Sequence, residues 1–293
     1  MAQVFVGTSG FSYRDWHGPV YPRGLPASQR LGWYAHHSPF LEINSTYYRM
    51  PTPTVLSTMA DRLAGGILRQ ITVKLPGELT HGFDRDDVPV EDRLRAFTQA
   101  LAPLRSAGVY AGTLLQFPYR FHYTPANRYY LKRILTALRE AEPAQNARPR
   151  FVEFRHREWY RPSVWAGLSE LDAAPVDLDI PQLSQLPPSL STGAVVPGGI
   201  HRYLRLHGRN ADQWWDGDSA SRYAWDYQED ELNPMADRLA QMHADGLFQV
   251  LYVAFNNHFR GRAMANAGVF TTLLSQRGVP VEGPHGEAPP LTG

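Results

Sequence analysis

The chain has 293 residues, of which 43% are hydrophobic and 19% charged, with a formal net charge of +1 at pH 7. This composition suits a globular protein with a large core and excludes a mainly disordered chain. The absence of cysteine excludes disulfides, thiolate nucleophiles and cysteine-bound zinc or iron–sulfur clusters. Because the net charge is nearly neutral, an anionic partner would need a locally cationic site.

The N-terminal segment enters an apolar run at once and lacks the features of a signal peptide. No stretch approaches the roughly 18 uncharged apolar residues that a membrane helix needs. We therefore expect a cytoplasmic protein with no membrane partner.

Eight short apolar runs, rich in β-branched and aromatic residues, alternate with segments of helical period. The runs are Val4–Thr8, Phe40–Asn44, Gln70–Lys74, Gly112–Phe117, Arg150–Phe154, Pro175–Asp179, Arg202–His207 and Gln249–Asn256. The predicted helices are Ser28–His37, Thr54–Leu63, Glu91–Ala107, Asn127–Ala141, Pro162–Leu171, Asn233–His243 and Ala263–Arg277. This alternation is typical of β–α units on a parallel sheet.

Eight such units predict an α/β protein with a single (β/α)8 TIM barrel over residues 1–277, because closure leaves no exposed sheet edge. A doubly wound open sheet is the alternative. Segment Ile180–Gly199 lacks helical period, so we expect a loop in place of one barrel helix. The proline- and glycine-rich tail, residues 278–293, is expected to be poorly ordered.

Polar residues end seven of the eight runs, where a barrel of this kind carries its functional site. They are Glu42, Asn44, Lys74, Gln116, Glu153, Arg155, His156, Asp177, Asp179, Arg205, His207, Arg209, Asn256, Asn257 and His258. Side chains two apart on a strand share a face, which pairs Glu42 with Asn44, and Arg205 with His207. Each residue alone could instead serve in a structural ion pair or a turn.

Arginine suits bidentate contact with phosphate or carboxylate, so these residues predict an anionic ligand. The candidates for proton transfer or catalysis are Glu153, His156, His207, His258 and Glu42. The candidates for substrate binding are Lys74, Arg155, Arg205, Arg209, Asn44, Tyr47, Asn256, Asn257, Trp16 and Trp159. A buried ion-pair network is the competing interpretation.

A metal cofactor is an open alternative, since Mg²⁺ or Mn²⁺ could bind only through histidine or carboxylate side chains here. The candidate ligands are Glu42, Glu153, His156 and Asp179. No H-E-x-x-H spacing is present, and the neighbouring arginines oppose a cation.

Aromatic residues are concentrated in the segments that follow the strands. They are Phe11, Tyr13, Trp16, Tyr47, Tyr48, Phe121, Tyr123, Trp159, Tyr160, Trp214, Trp215, Tyr223, Trp225 and Tyr227. With arginine they could stack on the bases of a nucleotide or of single-stranded nucleic acid, or on a carbohydrate. Packing of the loops onto the barrel rim explains many of them equally well.

Several ordered motifs link these strand ends. They are residues 6–13 with Trp16, residues 42–47, Lys74 with Thr80 and His81, residues 152–156 with Trp159, residues 203–208, and Tyr252 with residues 255–258. With them the chain resembles the DUF72 (YecE-like) family of uncharacterised TIM-barrel proteins. The resemblance implies the barrel and a shared pocket, and it adds His81 to the substrate-binding candidates. It implies no reaction.

The leading hypothesis is an enzyme that acts on a phosphate-bearing substrate, as a phosphodiester or nucleic-acid hydrolase with or without a divalent metal. An isomerase, lyase or glycosidase of sugars or sugar phosphates is the rival within enzymes. A non-catalytic module that binds a nucleotide or small anion is the alternative of another class.

Overall fold

Eight parallel strands close into a barrel in a computed structural model that describes residues 2–85, 87–142, 147–190 and 199–284. The strands are β1 (Gln3–Ser9), β2 (Phe40–Ile43), β3 (Gln70–Lys74), β4 (Tyr110–Gln116), β5 (Arg150–Glu153), β6 (Ala173–Asp179), β7 (His201–Leu206) and β8 (Val250–Phe255). Each strand pairs with the next along the chain, β8 pairs with β1, and the pairing of β1 with β2 closes the ring. The (β/α)8 prediction is confirmed.

Helices follow most strands and pack on the outside of the barrel. They are α1 (Arg30–His37), α2 (Pro53–Asp61), α3 (Gly77–Thr80), α4 (Val90–Ala100), α5 (Ala102–Ser106), α6 (Pro125–Ala141), α7 (Pro162–Glu170), α8 (Ser219–Arg222), α9 (Glu229–Ala244) and α10 (Arg262–Gln276). Threonine side chains cap the first turns of α2 and α6. Thr52 accepts a hydrogen bond from the Val55 N–H, and Thr124 accepts one from the Asn127 N–H. Among the described residues, no helix is long and apolar enough to cross a membrane.

The predicted helix Glu91–Ala107 is in fact two helices, α4 and α5, that meet at Leu101. Pro103 lies in the first turn of α5 and lacks the N–H that would continue the hydrogen bonds of α4. Gly108 follows α5 with φ of 71°, the left-handed conformation expected at a helix end. Between β6 and β7, the described residues 180–190 form turns without an α-helix, and residues 191–198 lie outside the described part.

The tail prediction needs correction for its first residues. Val281–Glu282 form a ninth strand, β9, which pairs in parallel with Val4 and Phe5 of β1. The Val4 N–H also donates to the Pro280 carbonyl at 3.0 Å. Proline content suggested disorder, but Pro280 precedes this strand and therefore needs no N–H in the ladder. Residues 285–293 lie outside the described residues.

Alternation along the strands separates the barrel interior from the helix-facing core. The lower interior is filled by aromatic rings from different strands, namely Phe5, Phe40, Phe151, Tyr203 and Tyr252. Two residues further along the same strands, the inward positions become Gly7, Glu42, Glu153 and Arg205. The polar site therefore lies directly above a layer of packed aromatic rings.

We expect Gly7→Ala to destabilise the barrel. A Cβ at residue 7 would lie 2.0 Å from the Phe40 carbonyl oxygen of the neighbouring strand, so the two strands would have to separate. The free energy of unfolding should fall by about 2 kcal/mol or more, measured by urea denaturation. The control is Gly167→Ala in α7, where nothing lies within 4 Å, and it should gain up to about 1 kcal/mol. Equal effects of the two substitutions would contradict this packing.

Candidate functional site at the barrel mouth

A cavity of about 890 Å³ opens at the carboxyl ends of the strands. Its basic lining residues are Lys74, His81, Arg120, Arg155, Arg205, Arg222 and His258, and none of its described lining residues is an aspartate or glutamate. The polar and aromatic walls are formed by Tyr13, Asn44, Tyr47, Tyr48, Gln116, Tyr119, Trp214, Trp215, Tyr223 and Asn256. The volume is that of a typical small-ligand site.

Arg205 lies at the bottom of this cavity, with a side chain that is only 1% exposed. Its Nε and Nη2 donate to the two carboxylate oxygens of Glu42 at 2.8 and 2.7 Å. Its Nη1 donates to Glu153 Oε2 at 2.5 Å and lies 3.4 Å from His207 Nε2. Nη2 also lies 3.2 Å from Ser9 Oγ, so oxygen atoms accept from four of the five N–H groups. Arg205 is therefore the centre of the network rather than a free donor.

The carboxylates of Glu42 and Glu153 also accept hydrogen bonds from residues other than Arg205. Glu42 accepts hydrogen bonds from Ser9 and from the Tyr203 hydroxyl, the latter at 2.7 Å. Glu153 accepts a bond from Arg155 Nε. Burial by itself would raise the pKa of Glu153, but Arg155 and Arg205 outweigh it and hold that pKa well below its usual range. Two glutamates and two arginines thus balance in charge beneath the cavity.

Arg155 extends from this network into the cavity. Its Nη2 lies 3.2 Å from His207 Nε2, and its guanidinium lies 5.6 Å from the centre of the Trp214 ring. Among the described residues Nη1 has no hydrogen-bond partner, which leaves this end of the guanidinium available to a ligand. Burial, together with Arg155, keeps the pKa of His207 well below its ordinary value, so His207 is neutral at pH 7.

Lys74, at the end of β3, is the second cationic group of the wall. Its Nζ donates to Gln116 Oε1 at 2.7 Å and lies 4.6 Å from the centre of the Tyr47 ring. Burial lowers the pKa of Lys74 to about 7, and Arg205 adds to this effect, while Glu42 and Glu153 oppose it. Near neutral pH a larger share of Lys74 is therefore the free amine than for an exposed lysine.

Neutral histidines and aromatic rings complete the walls. Burial, with Lys74 and Arg155, lowers the pKa of His81 to about 4, and this ring packs edge-on against Tyr47. After β1 and β8, Tyr13 stacks on His258 with ring centres 4.2 Å apart. Asn44 donates to Ser9 Oγ, and its Oδ1 is buried without a partner in the described part of the chain.

The structure brings about half of the predicted site residues to the cavity surface. Those that line it are Asn44, Tyr47, Lys74, His81, Arg155, Arg205, Asn256 and His258. Glu42, Glu153 and His207 lie directly beneath, bonded to Arg205 or Arg155. Their position suits orientation and charge balance better than direct contact with a substrate.

Two predicted substrate-binding tryptophans lie in the core instead of on the cavity wall. Trp16 is fully buried, and its Nε1 donates to the His258 carbonyl at 2.7 Å, which positions the His258 loop. Trp159 stacks on Phe154 and Phe121 and donates to the Phe121 carbonyl at 2.5 Å. A large ring after a strand end fits either role, so sequence alone gave no way to separate them.

Two further candidates fix loops. Arg209 donates to Asp179 at 2.8 and 3.1 Å and to Glu231 at 3.0 Å, so its charge is already paired. Asn257 donates to the Trp225 carbonyl and to Asn266 Oδ1. Neither Arg209 nor Asn257 lines the cavity.

The four candidate metal ligands do not form one centre. Among the described residues, Glu42, Glu153, His156 and Asp179 make no group of three with ligand atoms near one another. Glu42 and Glu153 are bonded to arginine, and Asp179 is bonded to Arg209, Ser189 and Tyr227. His156 is buried outside the cavity lining, beside His122. The arginines thus occupy the oxygens that a cation at the mouth would need.

Three polar lining residues were not singled out from the sequence. Tyr119 and Arg120 follow the end of β4, and their signal was this position, three and four residues after Gln116. Arg222 lies in α8, within the long connection between β7 and α9, where the sequence drew attention to aromatic residues only. Its Nε is buried without a hydrogen-bond partner among the described residues, while Nη2 donates to the Gly217 carbonyl at 3.0 Å.

We expect Arg205→Met to lower the free energy of unfolding by about 3–5 kcal/mol, because it leaves Glu42 buried without its cation. Arg133→Met is the matched control, since it also removes two hydrogen bonds to a glutamate, Glu91, but at the surface. That control should cost less than about 1 kcal/mol. Urea denaturation measures both, and a similar loss in the two variants would contradict a central role for Arg205.

We expect Lys74 to titrate with a pKa of about 7. The chain has only two lysines, and the other, Lys132, is exposed on α6 and serves as an internal control. After reductive methylation with ¹³C-formaldehyde, NMR should show three signals, of which that of Lys74 shifts near pH 7, that of the α-amino group near pH 8 and that of Lys132 near pH 10. Lys132→Arg and Lys74→Arg assign the signals. A Lys74 signal that titrates above about pH 9 would contradict the burial of Lys74 beside Arg205.

Comparison with known proteins agrees with this fold. A family model described as "Protein of unknown function DUF72" matches residues 5–290. The UPF0759 protein YunF of Bacillus subtilis (strain 168) is 24% identical, over 92% of this chain and 94% of its own. The structure of a DUF72 family protein from Thermotoga maritima is 32% identical, with a TM-score of 0.79, and covers 93% of this chain and 99% of that one. One from Enterococcus faecalis shares the fold at 21% identity, with a TM-score of 0.75 and coverage of 97% and 98%. The chain therefore belongs to the DUF72 family, whose function is unknown.

Proposed function

We propose that this protein is an enzyme that binds a phosphate-bearing substrate in the barrel mouth and hydrolyses a phosphodiester bond. The observation that carries the proposal is the cavity lining, which has four arginines, a lysine and two histidines and no carboxylate among its described residues. A cavity with this lining favours anions, because every charged side chain that faces a ligand is a cation. A phosphodiester is an anion of suitable size.

Individual atoms support recognition of phosphate oxygens. Arg155 Nη1 has no hydrogen-bond partner among the described residues. The free amine of Lys74 donates one N–H to Gln116 and keeps its second N–H for a ligand. Arg155 is fixed in place by Glu153 and His207, so a ligand meets a guanidinium that is already oriented. Such fixed donors stabilise negative charge that develops in a transition state.

Lys74 supplies the proton transfer in this proposal. As a free amine, it takes a proton from a water molecule, and the water oxygen bonds to phosphorus while the bond from phosphorus to the leaving oxygen breaks. The protonated Lys74 then returns the proton to the leaving alkoxide, which restores the amine. A pKa of about 7 suits both steps near neutral pH.

Aromatic side chains at the rim favour a nucleotide as the remainder of the substrate. Trp215 is 48% exposed and Tyr48 is 82% exposed, although both rings are large and apolar. Tyr119 packs edge-on against Trp215 with ring centres 4.7 Å apart. Exposed rings beside cations are typical of surfaces that stack nucleobases. The net charge of +1 favours a short or single-stranded substrate over a long duplex.

Lys74 also favours a second candidate, a lyase or isomerase of sugar phosphates. A free amine in a cationic pocket can condense with a carbonyl group to form an imine with loss of water. A glycosidase that uses two carboxylates has less support, because Glu42 and Glu153 are both bonded to Arg205. A non-catalytic anion-binding module would use the same pocket without turnover.

The test is a set of phosphodiesters, namely bis(4-nitrophenyl) phosphate, dinucleotides and single-stranded DNA and RNA, assayed with EDTA and with Mg²⁺ or Mn²⁺. We expect hydrolysis with a rate that rises through about pH 7 as Lys74 loses its proton. Lys74→Met should reduce kcat by about 10²–10⁴-fold, and Arg155→Met should reduce kcat/KM. Lys132→Met should leave activity unchanged.

Absence of hydrolysis across the set, or equal activity in the Lys74 and Lys132 variants, would overturn the proposal. Borohydride trapping of a sugar phosphate on Lys74 would support the second candidate instead. Tight binding of a nucleotide with no turnover would support the binding module.

A further inference from the structure

Three side chains outside the cavity form a group that the proposed hydrolysis does not use. His122 lies in the connection between β4 and α6, His156 follows β5, and Glu158 lies in the turn just after it. Glu158 Oε2 lies 3.4 Å from His122 Nδ1 and 3.5 Å from His156 Nδ1. One ligand atom from each residue lies within 4.8 Å of the others. Among the described residues this is the one such group of three.

The backbone around this group is well fixed. The Tyr123 N–H donates to Glu158 Oε2 at 3.2 Å, which joins the two connections. Asn127 Nδ2 donates to the His122 carbonyl at 2.8 Å. Trp159, packed between Phe121 and Phe154, anchors the turn that carries Glu158. The group therefore needs little rearrangement to bind a ligand.

We propose that His122, His156 and Glu158 bind a divalent transition-metal ion, with zinc as the best fit. Two imidazole nitrogens and one carboxylate oxygen are a common donor set for such ions. In a tetrahedral zinc site with bonds of about 2.0–2.1 Å, neighbouring ligand atoms are about 3.3 Å apart. Glu158 Oε2 lies 3.4 Å from His122 Nδ1 and 3.5 Å from His156 Nδ1, and both distances are close to this value. The remaining position would be filled by water.

The neighbouring cations do not occupy this site. Arg157 Nη1 donates to the Ser184 carbonyl at 2.5 Å, and Arg161 donates to the Glu158 carbonyl and lies over the Tyr123 ring. An ion would replace the hydrogen bond that the Glu158 backbone N–H donates to His156 Nδ1. This bond is long, with 3.3 Å between the two nitrogens, and is therefore weak. Glu158 supplies one negative charge to the ion.

A bound ion would join the connections after β4 and β5 at the rim of the cavity. The His156 ring lies 4.9 Å from the ring of Tyr119, which lines the cavity beside Trp215. Metal binding would therefore fix the position of one aromatic wall. This role goes beyond the proposed hydrolysis and does not depend on it.

The test is calorimetric titration of the chelator-treated full chain with Zn²⁺, with Co²⁺ absorption as a spectroscopic readout. We expect one saturable site per chain and the visible bands of a four- or five-coordinate Co²⁺ ion. His122→Ala and Glu158→Gln should each weaken Zn²⁺ binding at least about tenfold. Glu158→Gln keeps an oxygen that can accept from the Tyr123 N–H, so it preserves the fold.

His36→Ala is the control, because His36 is exposed on α1 next to another histidine and could bind zinc without a built site. It should leave the high-affinity site unchanged. No saturable binding by the wild type, or equal affinity in the Glu158→Gln and wild-type proteins, would overturn the proposal. Because the readout is metal binding, it is independent of phosphodiester hydrolysis.

Discussion

Arg205 carries a full charge in the closed centre of the barrel, above a layer of aromatic rings. Such a charge is tolerated only when its partners are fixed, and here oxygen atoms of Glu42, Glu153 and Ser9 accept its hydrogen bonds, while His207 Nε2 lies 3.4 Å from Nη1. These partners come from β1, β2 and β5 and from just after β7, so a single guanidinium ties together strands that are far apart in the sequence.

The position of the carboxylates determines what the mouth can do. Because Glu42 and Glu153 lie beneath Arg155 and Arg205, a ligand meets cations, although these four side chains together are neutral. The same arrangement sets the state of Lys74, since burial and the charge of Arg205 outweigh the attraction of the glutamates and lower its pKa to about 7. The pocket therefore combines fixed cations with a weakly basic amine, which is a suitable set for phosphate chemistry.

Much of this was predictable from sequence, because strand ends and the two-residue alternation are local properties. Alternation put Glu42 with Asn44, Glu153 with Arg155 and Arg205 with His207 on shared faces but left open whether those faces point inward, and in the structure Glu42, Glu153 and Arg205 meet inside the barrel. Sequence did not show that the two glutamates would share Arg205, which depends on geometry across the barrel. Trp16 and Trp159 were placed at the mouth by position alone, whereas their rings fill the core. His122 and Glu158 gave no signal, because they reach His156 only through folding.

The central claim is that the mouth binds a phosphodiester anion through cations that include Lys74. Calorimetric titration with a non-hydrolysable dinucleotide phosphorothioate, whose own charge is constant between pH 6 and 8.5, tests it most directly. Saturable binding of one ligand per chain is expected, tighter at pH 6, where Lys74 is protonated, than at pH 8.5, where it is neutral. Absence of saturable binding at both pH values, or affinity that is the same at both, would contradict the account.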